Sequence, residues 1–101
     1  MTQNKRQNLE QAGASEENVE NRRKRLIFRS NHRGTKEMDL ILGSFALKNV
    51  PDFSVQELSD YDTLLCENDP DLYNWITEKE NAPEDIAQMT VFQKLQAHKY
   101  A

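Results

Sequence analysis

The chain is 101 residues long and 37% hydrophobic, with a net charge of −4 and a single cysteine, Cys66. That length allows one domain with a small core and little room for a deep catalytic cleft, which favours a binding module over a self-contained enzyme. One cysteine excludes an intramolecular disulfide and a cysteine-rich metal site, and no apolar run approaches the roughly 18 residues of a membrane-spanning helix.

The chain opens with Gln, Asn, Glu and small residues that offer nothing to bury. Residues 1–17 are therefore expected to form a disordered polar tail, followed by a single helical domain over 18–101. The start lacks the apolar core of a secretory signal, and Glu10, Glu16 and Glu17 argue against a mitochondrial transit peptide. Together with the lone cysteine, this points to the bacterial cytoplasm rather than the mitochondrial matrix.

Charge is distributed unevenly. Residues 21–36 carry seven Lys or Arg and no acid, whereas residues 50–85 carry eleven acids and one base, Lys79. Such a two-sided field can orient a partner. The basic stretch falls on the first predicted helix, Asn18 to about Ser30, where Val19, Leu26 and Ile27 share one face. Arg22, Arg23, Lys24, Arg25 and Arg29 surround that face. They suit a solvated helix surface, an acidic protein partner or nucleic acid, and the acidity of the rest of the domain ranks nucleic acid last.

The second helix is expected over Thr35 to about Asn49, capped by Thr35. Met38, Ile41, Leu42 and Phe45 form one apolar face, with Leu40 and Leu47 on another side. A helix apolar on several sides is expected at the centre of the fold. Gly43 inside it weakens the helix but permits close approach of a neighbour.

Three more helix starts follow. Ser54 and Glu57 fit a capping box, Phe53 and Leu58 a hydrophobic staple, and Leu58, Tyr61 and Leu65 supply a buried stripe, with Leu64 beside it, as far as about Cys66. Cys66 reads as a small buried or half-buried residue. Asp69 as cap and Pro70 at the first helical position open a fourth helix to about Lys79, with Leu72, Trp75 and Ile76 facing the core. Pro83 opens a fifth, with Ile86, Met89, Phe92 and Leu95 as its stripe. It ends near His98, where the helix dipole favours a charged imidazole. The fold class is all-α: a compact five-helix bundle-like domain behind a disordered tail.

No phosphate loop, nucleophile elbow or Cys/His metal cluster is present in the sequence, so no catalytic residue and no metal ligand is assigned. The stretch that stands out is Asn31 to Asp39, between the basic helix and the most apolar one. Arg33 and Glu37, four apart, can pair on a helix face, but Arg-before-Glu is the weaker order and Arg33 sits at the positive helix end. Gly34 between them is bare. An exposed Arg, a bare Gly and a nearby Glu suit docking against a polar pocket as well as they suit local structure.

Arg33-Gly34-x-x-Glu37, followed by Met38-Asp39 and, some thirty residues on, by Asp69-Pro70-Asp71-Leu72-Tyr73-Asn74-Trp75-Ile76, resembles the succinate dehydrogenase flavinylation factors. These are SdhE in bacteria and succinate dehydrogenase assembly factor 2 in mitochondria. The resemblance covers about residues 19–98. It implies a non-enzymatic assembly chaperone that binds the flavoprotein subunit of succinate dehydrogenase, and in some bacteria of fumarate reductase. The chaperone promotes covalent attachment of the flavin 8α-methyl carbon to a histidine of that subunit. FAD would belong to the client and not be held stably by this chain. Arg33, Gly34 and Glu37 would lie at the interface, flanked by His32, Lys36, Arg29 and Asp39. Monomer is the default state, without membrane insertion. The alternative is a small helical regulator or antitoxin-like nucleic-acid-binding protein using the basic first helix.

Overall fold

Helix starts are set by short polar side chains that accept the first free backbone N–H groups. The computed structural model describes residues 17–98 and holds six α-helices, one 3-10 turn and no strand among them. The elements are α1 (Val19–Ser30), α2 (Lys36–Asn49), the 3-10 turn (Val50–Asp52), α3 (Val55–Leu64), α4 (Asp69–Ile76), α5 (Glu84–Ala87) and α6 (Thr90–Ala97). Asn18 caps α1, Thr35 caps α2, and Ser54 with Glu57 forms the full capping box of α3. Asn68 rather than Asp69 caps α4, because Asn68 holds the extended backbone and accepts from the Asp71 N–H at 2.9 Å. Pro70 then falls in the first turn, where its missing N–H costs nothing.

The all-α expectation holds, with one helix more than expected. The last stripe is divided between α5 and α6 by an extended Met89. A strict spacing of three, Ile86-Met89-Phe92-Leu95, drifts roughly 60° around a helix at each step. No single helix could bury all four. The break resets the phase, so that Ile86, Val91, Phe92 and Leu95 are all buried.

α2 is central. Met38, Ile41, Leu42, Phe45 and Ala46 are buried, and Phe45 packs its ring against Phe53 (6.0 Å) and Tyr61 (5.7 Å). Tyr61 meets Ser30, the one buried polar residue among those described, in a 2.6 Å hydrogen bond. Ser30 also donates to the Leu26 carbonyl, and burial pushes the Tyr61 hydroxyl up to about 12. Gly43 admits α1 as expected: a Cβ there would collide with the Asn31 side chain.

Several expectations are corrected. Leu40 and Leu47 are 52% and 64% exposed, so α2 buries one broad face rather than several. Its neighbour α1 covers the Gly43 side and leaves these leucines uncovered. Val19 at the open end of α1 is also exposed. α3 ends at Leu64, which leaves Cys66 exposed in the following turn. α4 ends at Ile76, because Glu78 adopts φ +64° and lets the Lys79 and Glu80 N–H groups turn back onto the Asn74 carbonyl. The His98 imidazole is pushed toward its neutral form, first by burial and then by Lys48, against the dipole argument. The expected disordered tail lies outside the described residues except for Glu17, which binds Arg25. No helix among the described residues is long and apolar enough to cross a membrane.

Candidate docking site at the junction of the first two helices

The arginines of α1 are consumed by the protein itself. Arg23 donates to the Val50 and Phe53 carbonyls at 2.7 and 3.0 Å. Arg25 bridges Glu17 and Asp62, and Arg29 donates to Asp62 at 2.9 Å and to the Leu65 carbonyl at 3.2 Å. The Arg25 guanidinium holds the Asp62 and Glu17 carboxyls below the usual carboxylate range, and Arg25 is in turn held more firmly charged by them. Part of the charge asymmetry of the sequence is thus an internal seam between α1 and α3, closed on Asp62. It turns these arginines away from the phosphates that the nucleic-acid reading needs them to face.

Arg33 continues the seam past the end of α1. Its side chain is 10% exposed and donates to Asp69 at 2.9 Å, the Leu65 carbonyl at 2.7 Å and the Glu67 carbonyl at 2.8 Å. Arg33 is therefore not the exposed cation expected here, and its carboxylate partner is Asp69 rather than Glu37. The planar guanidinium fork satisfies three acceptors of one turn at once, which a lysine could not do. Its backbone N–H donates to the Asp39 carboxylate at 2.6 Å. Asp39 thereby ties the junction loop to the first turn of α2.

With the loop held at both ends, its remaining residues face outward. His32 stacks on Phe28 at 4.0 Å and its Nδ1 lies 2.7 Å from the Phe28 carbonyl oxygen; both rings are exposed. Gly34 has φ +117°, and a Cβ there would meet nothing within 4 Å. Backbone conformation, not close approach of another segment, therefore requires glycine at this point. Thr35, Lys36 and Glu37 are exposed. The Tyr73 hydroxyl reaches Glu37 at 3.4 Å across a shallow cleft of about 200 Å³ lined by Thr35, Glu37, Met38, Asp69, Pro70 and Tyr73.

The structure therefore gathers all seven sequence-selected residues, Arg29, His32, Arg33, Gly34, Lys36, Glu37 and Asp39, around one loop, in two sets. Arg33 and Asp39 hold it and Arg29 ties the end of α1 to α3, while His32, Gly34, Lys36 and Glu37 are presented. Sequence reasoning did not place Phe28, Asp69, Pro70 and Tyr73 at the site. The last three stand in the Asp69–Ile76 stretch, whose spacing to Arg33 was visible but whose contact was not. Among the described residues no group of three or more His, Cys, Asp or Glu could hold a metal ion.

Residues 24–99 match the family described as Sdh5, flavinator of succinate dehydrogenase. The chain is 44% identical over 68 residues to the mitochondrial succinate dehydrogenase assembly factor 2 of Dictyostelium discoideum, covering 67% of this chain and 48% of that one. It is 40% identical over 76 residues to the FAD assembly factor SdhE of Acetobacter pasteurianus, covering 75% and 70%. It is 39% identical over 83 residues to the mitochondrial succinate dehydrogenase assembly factor 2 of Candida glabrata, covering 79% and 54%. The chain spans about half the length of these mitochondrial relatives and more than two thirds of the bacterial one.

Proposed function

The chain belongs to the flavinator of succinate dehydrogenase family, and on that premise we propose that it promotes covalent attachment of FAD to the flavoprotein subunit of succinate dehydrogenase. The observation that carries the reading is the family match, which includes the whole junction and the turn that Arg33 grips. His32, Gly34, Lys36 and Glu37 meet the client, and Arg33 and Asp39 keep the loop in the shape that does so.

The mechanism is positional. Forming the histidine–flavin bond requires the two groups to be held at reacting distance, and fixing such a geometry can contribute several kcal/mol to a rate, on the order of 7–11 in favourable cases. A small partner achieves this by binding one arrangement of the client more tightly than others. It acts as a chaperone and not as an enzyme, and FAD stays with the client. Fumarate reductase, where present, is a second client. The protein works as a monomer beside the immature flavoprotein, in the bacterial cytoplasm.

The test is flavin fluorescence of the denatured flavoprotein subunit in a gel, after co-production with this protein, with its Arg33→Ala or Glu37→Ala variant, or with neither. Fluorescence rises with the wild type and falls with both variants. Equal fluorescence in every lane contradicts the assembly role.

A further inference from the structure

Glu37 stands apart from the other carboxylates at the junction. Asp39 accepts the Arg33 N–H, and Asp69 is taken by the Arg33 guanidinium with its side chain 15% exposed. Glu37 is exposed and has no ion pair among the described residues; its only hydrogen bond there is the 3.4 Å contact with the Tyr73 hydroxyl. It sits on the rim of the cleft whose walls are the Met38 side chain, Pro70 and the Tyr73 ring. At about 200 Å³ the cleft is smaller than the roughly 300–1,000 Å³ of small-molecule pockets, so it suits a single side chain better than a flavin.

Its chemistry selects which side chain. The walls are largely apolar, and an aromatic face lies beside a carboxylate without an internal counter-ion. Arg33 is already committed to three acceptors, and Lys79 places its Nζ over the Tyr73 ring, 5.1 Å from the centroid, without an ion pair to Glu37. A long side chain with an aliphatic stem and a positive head suits the apolar walls and the Glu37 carboxylate together. The stem lies on Pro70 and the side of Tyr73, and the head meets the Glu37 carboxylate.

We propose that the cleft between the starts of α2 and α4 receives an arginine or lysine side chain of the client flavoprotein, paired with Glu37 and packed on Tyr73. The proposal rests on the docking role given above and adds the chemistry of the contact. Arg33 is a positioning residue for it. By occupying Asp69 it leaves Glu37 as the carboxylate available for pairing, and it fixes the turn from which Pro70 and Tyr73 project.

The experiment is calorimetric binding of the purified chain to the purified apo flavoprotein subunit, at two salt concentrations, for wild type, Glu37→Gln and Tyr73→Ala. Glu37 makes no core contact, so Glu37→Gln keeps the fold. The expected result is binding weakened roughly 10- to 100-fold by Glu37→Gln, with less salt dependence than wild type. A library of flavoprotein variants, each with one surface Arg or Lys changed to Glu, is then screened against Glu37→Arg; one member restores binding. Wild-type affinity for Glu37→Gln, or no restoring member, overturns the inference and leaves the docking role standing. Failure of the wild type to bind overturns both.

Discussion

The Arg33 guanidinium donates to the Asp69 carboxylate at 2.9 Å across 36 positions of sequence, and in doing so it locks the loop before α2 onto the turn before α4. Neither partner is exposed enough for water to replace the bond, at 10% and 15% side-chain exposure. Arg33→Ala leaves Asp69 and the Glu67 carbonyl without this donor and the Leu65 carbonyl with Arg29 alone. It is expected to cost about 2–4 kcal/mol by chemical denaturation. Arg33→Lys recovers less than half of that, because a point charge cannot serve three acceptors. A loss below about 0.5 kcal/mol for Arg33→Ala, the size of a surface pair, contradicts the clamp.

Local signals carried most of the fold. Thr35 and Ser54 end up as the expected caps, with Ser54 and Glu57 paired as their spacing requires, while Asn68 takes the capping place expected of its neighbour Asp69. These interactions are three residues long and legible in any sequence. The clamp was not legible, because Arg33 has a carboxylate four residues away at Glu37 and finds its partner only through the tertiary fold. The same limit misplaced Leu40 and Leu47: apolarity says that a residue can be buried, not that a neighbour exists to bury it. The division of α5 from α6 could have been read from the drift of a strict three-residue spacing. The seven site residues lie together because six of them are near in sequence to Arg33, whereas Tyr73 and Asp69 needed the fold.

The seam of α1 predicts acid sensitivity. Asp62 and Glu17 bind protons more weakly folded than unfolded, because Arg25 hydrogen-bonds their ionised forms. Their stabilisation is fully present above the ordinary carboxylate values of 3.8 and 4.5 and is lost as pH falls through the lower folded values. Thermal unfolding followed from about pH 7 to about pH 3 should show Tm falling at the acid end. Asp62→Asn lowers Tm at neutral pH by the equivalent of about 1 kcal/mol and flattens the acid limb. An acid limb as steep as the wild type's contradicts the assignment.

Glu78 holds φ +64°, a conformation that costs an ordinary L-residue roughly 1–2 kcal/mol. Its neighbours gain from it, since the Lys79 and Glu80 N–H groups close the end of α4 on the Asn74 carbonyl. Glu78→Gly keeps that closure and removes most of the strain. It should raise Tm by about 4 °C, the effect of roughly 1 kcal/mol in a domain of this size. A lowered Tm means that the Glu78 side chain makes a larger contribution than its backbone strain.

Gly43 and Asn31 should be coupled. Alanine at Gly43 improves helix propensity by about 1 kcal/mol but drives its Cβ into the Asn31 side chain, which also donates to the Ile27 carbonyl at 3.1 Å. In the wild type these effects oppose each other, and the net change is small or unfavourable. In an Asn31→Ala background the collision is gone and Gly43→Ala stabilises by about 1 kcal/mol. Equal effects in the two backgrounds, measured by denaturation of all four proteins, contradict the close approach of α1 to α2.

The central claim is that the exposed junction loop meets the flavoprotein, and Gly34 separates that claim from stability. Gly34→Ala and Gly34→Arg impose similar backbone strain at φ +117°, but alanine adds a Cβ into open space whereas arginine adds a long charged side chain to the presented surface. The measurement is covalent flavin fluorescence of the flavoprotein subunit after incubation with FAD and each purified variant, at a temperature where circular dichroism shows both fully folded. The account predicts near wild-type fluorescence with Gly34→Ala and loss with Gly34→Arg. Wild-type fluorescence with Gly34→Arg would place the docking surface elsewhere and contradict the account.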